Sequence, residues 1–292
     1  MYLHLIQVHY EYLQLFKLER GKMNTETIEK RKSVRTFNEK PVPAELMAQV
    51  RDFLQHDENP FGVPIEYFVL DAKKDGVSSP VIVGADTYVA GKCRRQKNAE
   101  IAFGYSFEKF ILSATSLGLG TVWLAGTIDR KAFERAIDLK EDEMMPAVSP
   151  LGFAAKKRSL RDSMMRKGLK SDSRMPFAEL FFRDSFQQPL EEKDAGIWKT
   201  ALDMVRLAPS ATNKQPWRVI VTEDSVHFYE KKTKGYANQS GDIQKVDLGI
   251  AMCHFEIGAD QSGLKGRWIQ EDPGMQTAQD TEYIATFVRE KN

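Results

Sequence analysis

The chain has little cysteine: Cys93 and Cys253 are its only two in 292 residues, and neither belongs to a CxxC pair. Neither a disulfide framework nor a thiolate zinc site is indicated by so few thiols. Five histidines are scattered through the sequence without the spacing of a ligand set, and there is no nucleophile elbow and no Ser-His-Asp set. The EDEMM run at residues 141–145 reads as an exposed turn without converging ligands, so no metal site is expected. Charge of one sign is lacking too. Lys and Arg total 42 against 41 Asp and Glu, a formal net charge of +1, and no general attraction to nucleic acid or to an anionic membrane follows. The N-terminal stretch, residues 1–22, is apolar in places but is interrupted by His4, Gln7, His9 and Glu11 and lacks a small-residue cleavage site. It fits neither a spanning helix nor a signal peptide, and a reducing cytoplasm is the expected compartment.

What the chain does contain is concentrated in two short strings. In residues 198–208, WKTALDMVRLA, the residues Leu202, Val205 and Ala208 share one helical face, and Pro209 ends the helix. Ser210, Thr212 and Asn213 then supply side chains that fold onto nearby backbone and tolerate unusual dihedrals, and Gln215 adds a two-sided amide. WRVIVT, residues 217–222, reads as a buried strand. A helix, an amide-rich loop and a strand can grip a planar heterocycle, although the same residues also suit an ordinary helix-to-strand connection. The second string is IEKRKSVRTF, residues 28–37, with Arg31, Ser33 and Arg35 at alternate positions and Lys32 among them. Two guanidinium forks and a hydroxyl match phosphate oxygens. Taken alone, such a run also fits a solvated basic face at the end of a helix.

The loop string APSATNKQPW resembles the flavin-contacting loop of the nitroreductase family, FMN-dependent NAD(P)H oxidoreductases, and IEKRKSVRTF is similar to that family's N-terminal phosphate-binding motif. The resemblance implies an α+β fold of mainly antiparallel sheets flanked by helices. It implies FMN as cofactor, with electrons passing by a ping-pong route from NAD(P)H to an electron-poor acceptor of nitroaromatic or quinone type, and no catalytic side chain. The cofactor residues it implies are Arg31, Lys32, Ser33 and Arg35 for the phosphate, and Pro209, Ser210, Ala211, Asn213 and Gln215 in the loop. Ala125 and Gly126, which end GLGTVWLAG at residues 118–126, match the family's loop at the reactive flavin edge; many members carry Glu where Ala125 stands. Arg174 in DSRMPF matches a basic residue that reaches back to the phosphate, with Lys170 as a possible assistant, whereas the basic stretch 156–167 reads as a solvated segment. Gly118 reads as a helix C-cap, Trp123, Trp217 and Trp268 as core residues, and Cys253 and His254 as packing or surface groups.

The sequence also repeats. Gly104, Phe110, Ala114, Gly118, Leu119 and Trp123 recur as Gly249, Phe255, Ala259, Gly263, Leu264 and Trp268, a constant offset of 145. Phe37 matches Phe186 and Pro64 matches Pro216 at offsets of 149 and 152. The expected organisation is an extension at 1–22, one half-unit at 23–178 and a second at 179–292, folded as a single-chain pseudo-dimer with further oligomerisation open. The halves have decayed differently. Opposite Arg31, Ser33 and Arg35 stand Leu180, Phe182 and Asp184, which cannot hold a phosphate, and opposite APSATNKQPW stands HDENPFGVPI at 56–65. Family dimers build each site from both subunits, so the retained strings should converge on one FMN per chain. A flavin-storing or flavin-sensing protein with little turnover is the alternative, and a flavin-free structural protein a third.

Overall fold

The computed structural model describes residues 23–156, 168, 173–238 and 241–290; the extension at 1–22, residues 157–167 and Lys170 lie outside the described residues. Asn24 caps α1 (Thr25–Lys30) by accepting a hydrogen bond from the Thr27 amide. The amphipathic α2 (Ala44–Gln55) follows, then β1 (Glu66–Asp71), β2 (Thr87–Arg94) and the long α3 (Ala99–Ser116). Next come α4 (Arg130–Ala136), β3 (Glu143–Met144) and β4 (Val148–Leu151). The later part runs through α5 (Phe177–Leu180), β5 (Phe181–Arg183), α6 (Lys199–Leu207), β6 (Trp217–Val221) and β7 (Ser225–Lys231). A small hairpin of β8 (Ala237–Asn238) and β9 (Gly241–Asp242) precedes α7 (Ile243–Gln261), β10 (Gly266–Ile269) and β11 (Thr281–Arg289).

Two sheets result. In one, β1, β3 and β4 each pair antiparallel with β2. The other has the order β10-β11-β7-β6-β5, antiparallel except for the parallel β5–β6 pair. The architecture is the α+β one expected, with mainly antiparallel sheets and flanking helices. EDEMM is only partly the exposed turn expected of it: Glu143 and Met144 form β3 against Arg94 and Cys93, and Met144 and Met145 are buried.

Helices α3 and α7 pack directly on one another at the centre, and small residues at the crossing let their backbones touch. A methyl group built on Gly104 would lie 2.0 Å from the Val246 carbonyl oxygen, and one on Gly249 would lie 2.0 Å from the Ile101 carbonyl oxygen. Gly104 and Gly249 are 145 apart in sequence, as are Ile101 and Val246, so the two close approaches mirror one another. Both helices also end alike. Gly118 and Gly263 adopt positive φ, and the Leu119 and Leu264 amides donate to the Ala114 and Ala259 carbonyls, each at 2.9 Å, a left-handed C-terminal motif. Phe107, Phe110, Ile111 and Ala114 share a buried face, and most of the rest of α3 is buried as well, including Ser106 and Glu108. A helix covered on both sides has no polar stripe to display.

Candidate active site

The chain from Arg31 onward leaves α1 in an extended conformation beside the strand-like segment around Thr121. The Val34 amide donates to the Thr121 carbonyl at 2.8 Å, and the Val83 amide donates to that of Arg35 at 2.9 Å. Alternate residues of an extended chain face the same way. Val34 packs on Gly120, where any side chain would collide with it, and Arg31, Ser33 and Arg35 face a cavity of about 620 Å³. Lys32 and Arg174 line the same cavity, so its cationic side gathers the basic residues that the sequence motifs nominate. Arg174 is steadied by donating to the Leu207 carbonyl at 3.4 Å.

The opposite wall is the loop after α6. Ala211–Asn213 form a single tight turn in which Thr212 and Asn213 hold φ of 48° and 59°, and Gln215 has φ of 50°. A β-branched residue in the left-handed region is strained, and four contacts hold the loop there. The Gln215 amide donates to Ser210 Oγ at 2.9 Å, and the Ala211 amide donates to both Asp247 carboxylate oxygens at 3.0 and 3.1 Å. The Thr212 and Tyr236 hydroxyls pair at 2.5 Å, and Asn213 Nδ2 donates to the Ser173 carbonyl at 3.1 Å. Pro209, Ser210, Ala211 and Asn213 line the cavity. Gln215 is not brought to it. Its side chain lies beneath the loop, 3% exposed, with Oε1 accepting from the Met175 amide and Nε2 donating to the Asn213 carbonyl. The two-sided amide therefore joins the DSRMPF segment to the loop.

Val122, Leu124, Ala147, Val246 and Ile250 supply an apolar floor, and Ala125 and Gly126 stand at its edge. A side chain at Gly126 would meet no protein atom within 4 Å, because that position opens into the cavity. Arg130 fixes this edge by donating to the carbonyls of Met145 at 2.7 Å and Ala125 at 3.1 Å. An adjoining chamber of about 290 Å³ shares Ala125, Gly126, Ala211, Ile243 and Val246 with the main cavity and has Tyr236, Glu100 and Asp242 on its outer side.

A buried polar cluster stands behind Arg31. Glu108, fully buried in α3, accepts from Trp123 Nε1 at 2.7 Å, is bonded to His254 Nε2 at 2.9 Å and lies 3.8 Å from Arg31 Nε. The other His254 ring nitrogen is bonded to the Met204 carbonyl. His254 is thus more than packing, and the buried pair ties α3 to α7 directly behind Arg31. Trp217 is a core residue as expected, Trp268 is only partly buried and packs against the core, and Trp123 both packs on Phe107 and lines the cavity. Cys93 and Cys253 are buried and unbridged. Among the described residues no cluster of potential metal ligands occurs, and no helix is long and apolar enough to cross a membrane.

Glu230 on β7 shows what burial without partners does. Fully buried, with neither carboxylate oxygen hydrogen-bonded to a described residue, it is pushed from its ordinary 4.5 up to about 7, first by desolvation and then by Asp242. Because the folded state holds this proton more tightly than the unfolded chain, stability is greatest below the ordinary value and falls as pH rises to about 7. The fall amounts to about 3 kcal/mol at most. Glu230→Gln is expected to remove most of that slope, as urea unfolding at the two ends of the window would measure; an unchanged slope would contradict it.

A 620 Å³ cavity with a cationic end, an apolar floor and a strained amide-rich rim, set in this α+β frame, defines a nucleotide-cofactor-sized site of the nitroreductase type. The chain belongs to the nitroreductase family: residues 24–259 match the family described as "Putative TM nitroreductase". The crystal structure of a putative nitroreductase from Thermotoga maritima is similar at 20% identity, with 91% of this chain and 94% of that one covered and a TM-score of 0.59. A nitroreductase with bound FMN from Bacteroides fragilis aligns at 18% identity over 46% of this chain and 90% of its own, TM-score 0.38. An FMN-dependent nitroreductase from Clostridium difficile aligns at 16% identity over 46% and 88%, TM-score 0.39. No curated protein matches the chain.

Proposed function

We propose that the chain is an oxidoreductase that binds one FMN and passes electrons from NADH or NADPH to an electron-poor acceptor, nitroaromatic or quinone in type, the two substrates using the same open side in turn. The observation that supports this best is the convergence of residues 31–35 and 209–213, far apart in sequence, on one cavity. Arg31, Lys32, Ser33, Arg35 and Arg174 would hold the phosphate. Ser210, Ala211 and Asn213 would frame the polar part of the ring system, and the floor of Val122, Leu124, Val246 and Ile250 would carry its apolar face. FMN supplies the hydride and electron chemistry when bound; the protein binds it, orients it and keeps water from one face. Ala125 and Gly126, shared by the cavity and its side chamber, mark the edge at which substrates would approach.

The two-half organisation is part of the same proposal: the reciprocal Gly104 and Gly249 contacts support reading residues 23–178 and 179–292 as the partners of a pseudo-dimer. Its second site would be vestigial, since the equivalent loop region is occupied by its own contacts, with Lys109 on Asp57 at 3.2 Å and on the Glu58 carbonyl at 2.8 Å. A cytoplasmic setting is proposed on the strength of the two unbridged cysteines. Mixing the FMN-loaded protein with NADH or NADPH and then with a nitroaromatic tests the activity. Fast bleaching of the flavin band followed by recovery is expected; binding without bleaching would favour the storing or sensing alternative.

A further inference from the structure

Asp247 is the acidic side chain that the polar wall of the cavity holds deepest. It is 3% exposed and sits in the second turn of α7, among Ile243, Val246 and Ile250, which line the same cavity. Among the described residues its two oxygens share a single donor, the Ala211 amide, whereas an ionised carboxylate taken from water calls for several donors or a paired cation. The neighbouring charges that act on it most are themselves acidic, Asp242 at the start of α7 and Glu230 on β7. Arg31, Lys32, Arg35 and Arg174 face the same space, together with Glu29. The positive end of α7 favours an anion only within the first turn, and one amide bond is outweighed: burial, then Asp242 and Glu230, push this carboxyl well above the usual carboxylate range.

We infer that Asp247 carries a proton and donates it as a hydrogen bond to the ring of the bound flavin, so that it sets the cofactor's reduction potential as well as holding the loop. The inference rests on the proposal that FMN occupies this cavity. A carboxylic acid here has one oxygen to accept from Ala211 and one O–H needing an acceptor, and the cavity is the side on which a ligand can provide one. The flavin ring offers carbonyl oxygens and imine nitrogens. Those atoms gain electron density on reduction, so a neutral donor favours the reduced cofactor, whereas an anion at the same place would oppose it.

The test compares FMN-loaded wild type, Asp247→Asn and Asp247→Leu. The amide keeps both an acceptor for Ala211 and a donor for the ring; leucine keeps neither. Leucine is expected to weaken the preference for reduced over oxidised flavin at least tenfold, a fall of about 30 mV in a two-electron midpoint potential, and asparagine to restore most of it. The reduced-minus-oxidised infrared difference spectrum of the wild type should contain the carbonyl stretch of a protonated acid, and Asp247→Asn should lack it. FMN bound at an unchanged potential in Asp247→Leu, or a wild-type spectrum without that band, would overturn the inference while leaving the cofactor assignment intact. Failure of all three proteins to bind FMN would overturn both.

Discussion

Replacing Arg31 or Arg35 with alanine is expected to weaken FMN binding about ten- to a hundredfold each, the worth of a lost charge-assisted bond of about 1.5–3 kcal/mol. Both guanidinium groups lie on the cationic side of the cavity and are largely buried, Arg35 at 9% exposed, so screening by solvent and salt does little to dilute their effect. Arg31→Lys should fall between alanine and wild type, because it keeps the charge and loses the fork. Asp184→Ala is the control: it stands at the repeat-equivalent of Arg35 and does not line the cavity. Titration followed by the quenching of flavin fluorescence measures all four. Wild-type affinity in both alanine variants would remove the phosphate assignment.

The largest effect on stability is expected at the α3–α7 crossing. Gly104→Ala and Gly249→Ala each place a methyl carbon 2.0 Å from a backbone carbonyl oxygen, Val246 in one case and Ile101 in the other. A flexible side chain could move aside, but a helix backbone cannot, so the two central helices must separate. That puts the cost at the upper end of overpacking, about 3 kcal/mol or more, which lowers Tm by about 6–12 °C in a chain of this size. Similar losses at the two positions would reflect their reciprocal geometry. Gly126→Ala, where nothing lies within 4 Å, should stay within about 0.5 kcal/mol of wild type in stability. A thermal melt of either central variant that matched wild type would contradict the packing argument.

The parts of the site legible in the sequence were those whose chemistry is local. Arg31, Ser33 and Arg35 alternate because the chain is extended there, and the run of small polar residues after α6 forecasts a turn that the φ values of Thr212 and Asn213 bear out. The repeat was legible through the recurring glycines, two of which lie at the α3–α7 crossing. Other features depend on what lies across the fold. Gln215 looks like any loop amide in sequence, and only the approach of Met175 decides that it faces inward. Glu108 reads as one charge in an apolar helix, and its partners His254, Trp123 and Arg31 come from elsewhere in the chain. A charge at a position whose helical neighbours are all apolar is the one signal that could have marked it. Asp247 stands between Val246 and Leu248, and its partner, the Ala211 amide, likewise comes from elsewhere in the chain.

On the proposed reading one cavity, built from residues 31–35 and 209–213 together, holds one FMN per chain. The decisive measurement is the flavin content of the purified protein saturated with FMN, taken from the absorbance of oxidised flavin against chain concentration. A plateau at one FMN per chain is expected, lost together in Arg31→Ala and in a variant of the opposing loop such as Ser210→Ala with Asn213→Ala. A plateau of two, or a protein that stays colourless in excess FMN, would contradict it.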